Sequence, residues 1–205
     1  MHNINTKLYS IFNWITLVAY LNVIWILLSL SGGIVLGFFP ATVSMFAIIR
    51  KWLKGDTNFP LFRTFLHYYK KEFWKSNRLG FIIGGLFLIF TLDYWYLIHY
   101  SPEVIWGQIL LFALSLLFLL FIFYLFPTYV HYDLKLIALL KQAFLLMLIH
   151  PLHTFFIIVC LASLFFVFYL IPAAAFIFGG SGYAFITMWL CMNAFHKLHN
   201  TKTPS

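Results

Sequence analysis

Residues 104–126 read VIWGQILLFALSLLFLLFIFYLF, 23 residues without a single charge. A helix rising 1.5 Å per residue needs only about 20 such residues to cross the hydrocarbon core of a bilayer. Runs of this kind recur along the chain with short polar stretches between them, and that repetition narrows the fold more than any other feature. With only 9% of its 205 residues charged, against about 25% in ordinary soluble domains, the chain cannot cover a core of this size with polar surface. It is expected to be all-α, a single polytopic membrane helical bundle over residues 1–205.

Six runs have the required length. They are Leu8–Leu30, Ile34–Leu53, Leu79–Ile98, Val104–Phe126, Leu152–Ile171 and Ala173–Phe195. The second has the weakest signal: Pro40 interrupts it, Arg50 and Lys51 end it, and its uncharged part is 16 residues. If 34–53 is only re-entrant, five spans remain. The first run is too long for a signal-peptide core and has no small-residue cleavage site, so it reads as a retained span. Cys160 and Cys191 both lie inside apolar runs and read as small packing residues rather than a disulfide framework.

The charges set an orientation. Eight of the thirteen Lys and Arg residues fall within residues 50–78. Basic short loops face the cytoplasm, which places 50–78 and 127–151 inside, together with Lys7, Lys197 and Lys202. The segments 99–103 and 171–173 carry no Lys or Arg and fall outside. All six spans then agree, with both termini cytoplasmic.

Residues 60–78 form a further, amphipathic helix on the cytoplasmic side. Pro60 suits a first helical turn. At 100° per residue, Leu61, Phe62, Phe65, Leu66, Tyr69 and Phe73 share one arc. Arg63, His67, Lys70, Lys71, Lys75 and Arg78 share the other. Glu72 breaks the apolar arc and Trp74 breaks the basic one. Such a helix is expected at the membrane surface, rings towards the acyl chains and bases towards anionic headgroups. It acts either as an orientation anchor or as a docking surface formed by Arg63, Lys70, Lys71, Lys75 and Arg78. The segment matches no nucleic-acid module, and the bilayer accounts for its charge.

Few polar groups lie within the spans. Asn22, Trp25 and Ser29 share a face of the first span, where polar side chains usually hydrogen-bond to neighbouring helices. Asp93 stands in FTLDYWY, whose aromatic residues resemble an interfacial belt; carboxylates inside spans are costly and often functional. His150 with His153, and His196 with His199, have the i, i+3 spacing of two metal ligands, but no Cys or carboxylate lies nearby in sequence to complete either set. The reading is therefore no metal site, no cofactor and no catalytic residues. The glycines of GGSGY at 179–183 read as helix packing or a break in the last span. Weak echoes between Gly33–Arg50 and Gly180–Lys197 suggest three hairpins of two helices.

Three groups of residues, in this order, resemble a known family. They are Leu21-Asn22-Val23-Ile24-Trp25 followed by Leu28-Ser29-Leu30; Gly37-Phe38-Phe39-Pro40-Ala41-Thr42 followed by Arg50-Lys51-Trp52 and Gly55-Asp56; and Phe65, Tyr69-Lys70-Lys71-Glu72-Phe73-Trp74-Lys75-Ser76 leading to Leu79-Gly80. The chain resembles the YesL-like family of bacterial integral membrane proteins over about residues 20–90. It departs from the usual pattern at Ser31-Gly32-Gly33, where the family often has Pro. The resemblance implies a plasma-membrane protein with no established biochemical activity. Its genes often lie beside carbohydrate-uptake systems and sugar-responsive regulators.

Three functions fit the sequence. The first is a non-enzymatic accessory protein that binds a sugar transporter subunit or a sensor kinase. The second is a small transporter or channel, acting as a homo-oligomer, with Asn22 and Asp93 on its path and Pro- or Gly-broken helices as its substrate site. The third, an intramembrane enzyme or metalloprotein, rests only on the His pairs.

Overall fold

The structure, a computed structural model, describes residues 2–100 and 103–202, and the side chains within them except those of 2–8, 10 and 196–202. The helices are α1 His2–Ser31, α2 Val35–Leu53, α3 Leu61–Tyr100, α4 Ile105–His131, α5 Leu136–Ile149, α6 Pro151–Leu170 and α7 Pro172–Lys202. There is no strand among the described residues. Six of these helices, all but α5, are long and apolar enough to cross a membrane. The chain is a multi-pass membrane protein.

The helix with the weakest apolar signal occupies the centre. In α2, 61% of the most apolar window is buried, against 6% in α3. It touches α1, α3, α4 and α7. Its buried residues include the small Gly37, Ala41, Thr42 and Ser44 beside larger apolar ones such as Met45, Phe46 and Ile49, and the small ones let neighbouring backbones approach. A helix screened by protein does not need lipid-like side chains, which explains its low hydropathy. Thr42 and Ser44 donate their hydroxyls back to the Phe38 and Pro40 carbonyls at 2.7 Å each. Arg50 and Lys51 stand in the last turn of α2, where cations complement the helix dipole.

The turn between α1 and α2 is tight because glycine permits it. Gly33 has φ 72°, and Ile34 N–H donates to the Ser29 carbonyl at 3.1 Å. A Cβ on Gly37 would overlap the carbonyl oxygens of Ser29 and Leu28. The expected hairpins are present, as α1 packs on α2, α3 on α4 and α6 on α7. Pro40 lies within α2, and Gly179, Gly180 and Gly182 lie within α7. Neither helix is broken there, so the discontinuous-helix motive for a transporter finds no counterpart.

The basic segment differs from expectation. Residues 61–78 are not a helix of their own; they are the first half of α3, which runs 40 residues without interruption, about 60 Å at 1.5 Å per residue. Such a segment cannot lie in the membrane plane while its own continuation crosses upright. Its apolar arc meets protein as well: Leu61, Phe65 and Tyr69 are buried, and the Tyr69 hydroxyl donates to the Leu28 carbonyl at 3.2 Å. From Phe81 to Tyr100, by contrast, nearly every side chain of α3 is exposed. Within 127–151, read from sequence as a cytoplasmic loop, the structure holds the 14-residue apolar helix α5, too short to span. It packs on α4, with Phe144 against Phe121.

Candidate functional site: a polar cleft and a basic face

Where α2, α3 and α4 meet, a cleft of about 410 Å³ opens, lined more by polar than by apolar surface. Arg50 enters it from α2. Tyr68, Lys71, Glu72 and Lys75 enter from α3. Tyr129 and His131 of α4, with Tyr132 and Asp133 just beyond, close it. The spacing on α3 explains the gathering: residues 68, 71, 72 and 75 are three and four apart and share one helix face.

The charged groups bind one another in part. Lys75 Nζ lies 3.2 Å from Asp133 Oδ1 and 5.2 Å from the centroid of the Tyr129 ring. The Tyr129 hydroxyl donates to Glu72 Oε2 at 2.8 Å. Arg50 Nη2 reaches the His131 carbonyl at 3.5 Å, while its Nε is buried without a hydrogen-bond partner. Burial pushes the Tyr132 phenol up from its ordinary value, so at neutral pH it stays a hydroxyl. Ionisable groups of membrane helices characteristically pair with one another or face a water-filled cavity, and they mark functional positions.

The five predicted docking bases divide into two sets. Arg63, Lys70 and Arg78 are exposed and lie outside the cleft. His67 and Trp74 are exposed beside them, Trp74 at 74%. Positions 63, 67, 70, 74 and 78 are spaced four, three, four and four residues apart, so they form one stripe along α3. Lys71 and Lys75 instead line the cleft, and Lys75 is held by Asp133. From sequence, Glu72 is visible only as an exception on an apolar arc. That exception is the one signal of the cleft, because the partners on α2 and α4 are distant in the chain.

Asn22 has a different role. It is 1% exposed. Its amide donates to the Phe176 carbonyl at 2.9 Å and accepts from Ser181 N–H at 3.1 Å, clasping one turn of α7. Gly180 leaves room for this, since a Cβ there would stand 3.0 Å from the Trp25 ring and 3.1 Å from Asn22 Oδ1. Trp25 Nε1 donates to Thr42 Oγ1 at 3.1 Å. Ser29 is buried at the same helix's end, its Oγ without a partner. These are contacts between helices. Asp93 is exposed and lines a shallow groove between α3 and α4 with Gly107, Leu110 and Leu114. The structure does not bring Asp93 and Asn22 together.

The rings of His150 and His153 lie 5.3 Å apart. Among the described residues, no three His, Cys, Asp or Glu side chains gather in a way that could hold a metal ion. The side chains of Lys7, His196, Lys197, His199 and Lys202 lie outside the described residues.

A family model described as protein of unknown function, DUF624, matches residues 18–94. The chain is 34% identical over 187 residues to the uncharacterized protein YesV of Bacillus subtilis (strain 168), covering 88% of this chain and 87% of that one. It is 34% identical over 151 residues to YesL of the same organism, covering 74% and 71%. It is also 34% identical over 161 residues to YteU, covering 78% and 72%. No solved structure matches. The matched segment holds Asn22, all of α2, the basic stripe and most of the polar cleft, and the chain belongs to the DUF624 family of YesL-like membrane proteins.

Proposed function

We propose that this chain is a non-catalytic accessory protein of the bacterial plasma membrane, with both termini in the cytoplasm. It docks a cytoplasmic part of a membrane partner in carbohydrate uptake or its regulation, a sugar transporter subunit or a sensor kinase. The exposed stripe of Arg63, His67, Lys70, Trp74 and Arg78 carries this reading. An anchor needs only charge near the headgroups. This stripe instead stands on a helix whose apolar arc already meets protein at the buried Leu61, Phe65 and Tyr69, although Phe62 stays exposed, and its bases and its tryptophan face outward. Exposed Trp and Arg side chains are the residue types that dominate binding energy at interfaces. The positive-inside rule supports the cytoplasmic orientation.

The test is a gentle-detergent pull-down from native membranes, comparing wild type with the triple variant Arg63→Gln, Lys70→Gln, Arg78→Gln. All three side chains lie outside the cleft, so its internal contacts are untouched. A co-purifying partner that is lost from the variant is the expected result. A partner retained at wild-type level reduces the stripe to an orientation anchor. If neither sample yields a partner while the protein moves sugars or ions across proteoliposomes, the small oligomeric transporter or channel replaces this reading.

A further inference from the structure

The cleft between α2, α3 and α4 keeps hydrogen-bonding capacity that its own contacts do not use. Arg50 Nε is buried without a partner, and the 3.5 Å approach of Nη2 to His131 is at the outer limit of a hydrogen bond. Lys71 lines the same cleft with no ion pair among the described residues. A guanidinium fork and an ammonium lining one cleft suit a phosphoryl group: Arg binds two of its oxygens at once and Lys adds a point charge. The two carboxylates, Glu72 and Asp133, then restrict the ligand. They disfavour a dianion, and their remaining lone pairs accept hydroxyl hydrogens. The best match is a singly charged phosphodiester that carries hydroxyl groups.

The place agrees with the chemistry. Arg50 stands in the last turn of α2, and His131 ends α4, so the cleft lies where two membrane helices finish. Basic pockets between transmembrane helices on the cytoplasmic side bind lipid headgroups. About 410 Å³ falls within the range of small-molecule sites.

We infer that the cleft is a binding site for a glycerophosphate group, with its phosphate on Arg50 and Lys71 and its hydroxyls on Glu72 and Asp133. The group can come from the headgroup of phosphatidylglycerol or from a soluble glycerophosphodiester. Partner docking does not depend on this site: the docking variant leaves Arg50 and Lys71 intact, and Lys70, which that variant changes, enters here only as the control outside the cleft.

The experiment uses the full chain, purified in detergent with mixed phosphatidylglycerol and phosphatidylcholine, and counts retained lipids by native mass spectrometry. Titration with soluble glycerophosphoglycerol, the singly charged phosphodiester of the same headgroup, read as a thermal shift, forms the second arm. The variants are Lys71→Gln, Arg50→Lys and the control Lys70→Gln, which removes the same charge one residue away and outside the cleft. Loss of one charge-assisted contact is expected to weaken retention about tenfold in Lys71→Gln and Arg50→Lys, and to leave Lys70→Gln near wild type. Phosphatidylglycerol retained over phosphatidylcholine assigns the lipid source. A saturable shift with glycerophosphoglycerol alone assigns the soluble one. Should Arg50→Lys fail to fold, Lys71→Gln decides, because that side chain is exposed. Equal retention of both lipids with no response to glycerophosphoglycerol overturns the site. So does equal weakening by Lys70→Gln and Lys71→Gln, which would make the effect one of general surface charge.

Discussion

Both ends of the Asn22 side-chain amide are engaged by a single turn of α7, at Phe176 and Ser181. The amide stands in for a peptide group: it offers one donor and one acceptor where the approaching helix can use both. Replacing it with Leu leaves a buried N–H and a buried C=O without their interhelical partner. Such losses cost about 1–3 kcal/mol, so Asn22→Leu is expected to lower the midpoint of thermal unfolding in detergent by several degrees. An unchanged midpoint would show that Asn22 serves something other than the fold. Its residue type and its shared face with Trp25 and Ser29 were legible from sequence, as was the expectation of contacts between helices. Its partners were not, because Phe176 and Ser181 stand more than 150 positions away and nothing local marks them. The same limit applies to the cleft. Glu72 was conspicuous as an acid on an apolar arc, but the Tyr129 hydroxyl that it accepts from belongs to another helix.

At the scale of the element, α2 shows how an apolarity scale can misjudge a membrane helix. The sequence ranked it last among the spans, since Pro40 interrupts it and Arg50 and Lys51 leave only 16 uncharged residues; Gly37, Thr42 and Ser44 lower its apolar content further. Those same residues let it pack at the centre. Gly37 is the tightest point, with the Leu28 and Ser29 carbonyls against it. Gly37→Ala is therefore expected to destabilise the protein by about 1–3 kcal/mol, the usual cost of overpacking, measured by thermal unfolding in detergent. Gly179→Ala is the matched control, because a Cβ there meets nothing within 4 Å, and it is expected to leave the midpoint unchanged or raise it. Equal effects of the two substitutions would contradict the close packing of α1 on α2. α3 was misjudged for a different reason. Its charge pattern was read correctly as amphipathic, but amphipathicity does not say whether the apolar arc meets lipid or another helix. Here α2 takes that place. α5 escaped notice because 14 apolar residues fall short of a span and were absorbed into a loop.

Taken whole, the molecule separates two kinds of surface on one helix. The first half of α3 carries charge along its exposed stripe, and the second half exposes almost only apolar side chains. Cations at the centre of a bilayer cost about 2.5–3.5 kcal/mol each on insertion scales, so the change near Arg78 and Leu79 marks where water gives way to lipid along α3. Composition and span length were enough to read an all-helical membrane protein, with 34–53 left as either a span or a re-entrant segment, and the structure holds six long apolar helices. The order in which those helices pack could not be read, because lipid-facing and protein-facing apolar residues look alike in a sequence. The account rests on the basic stripe being open to the cytoplasm. The most direct test is a single cysteine at Lys70, in a background with Cys160→Ala and Cys191→Ala, treated with a membrane-impermeant maleimide. Labelling in inside-out vesicles and none in intact cells is the predicted result. Labelling of intact cells, or of neither preparation, would place the stripe outside or within the bilayer and contradict the docking surface.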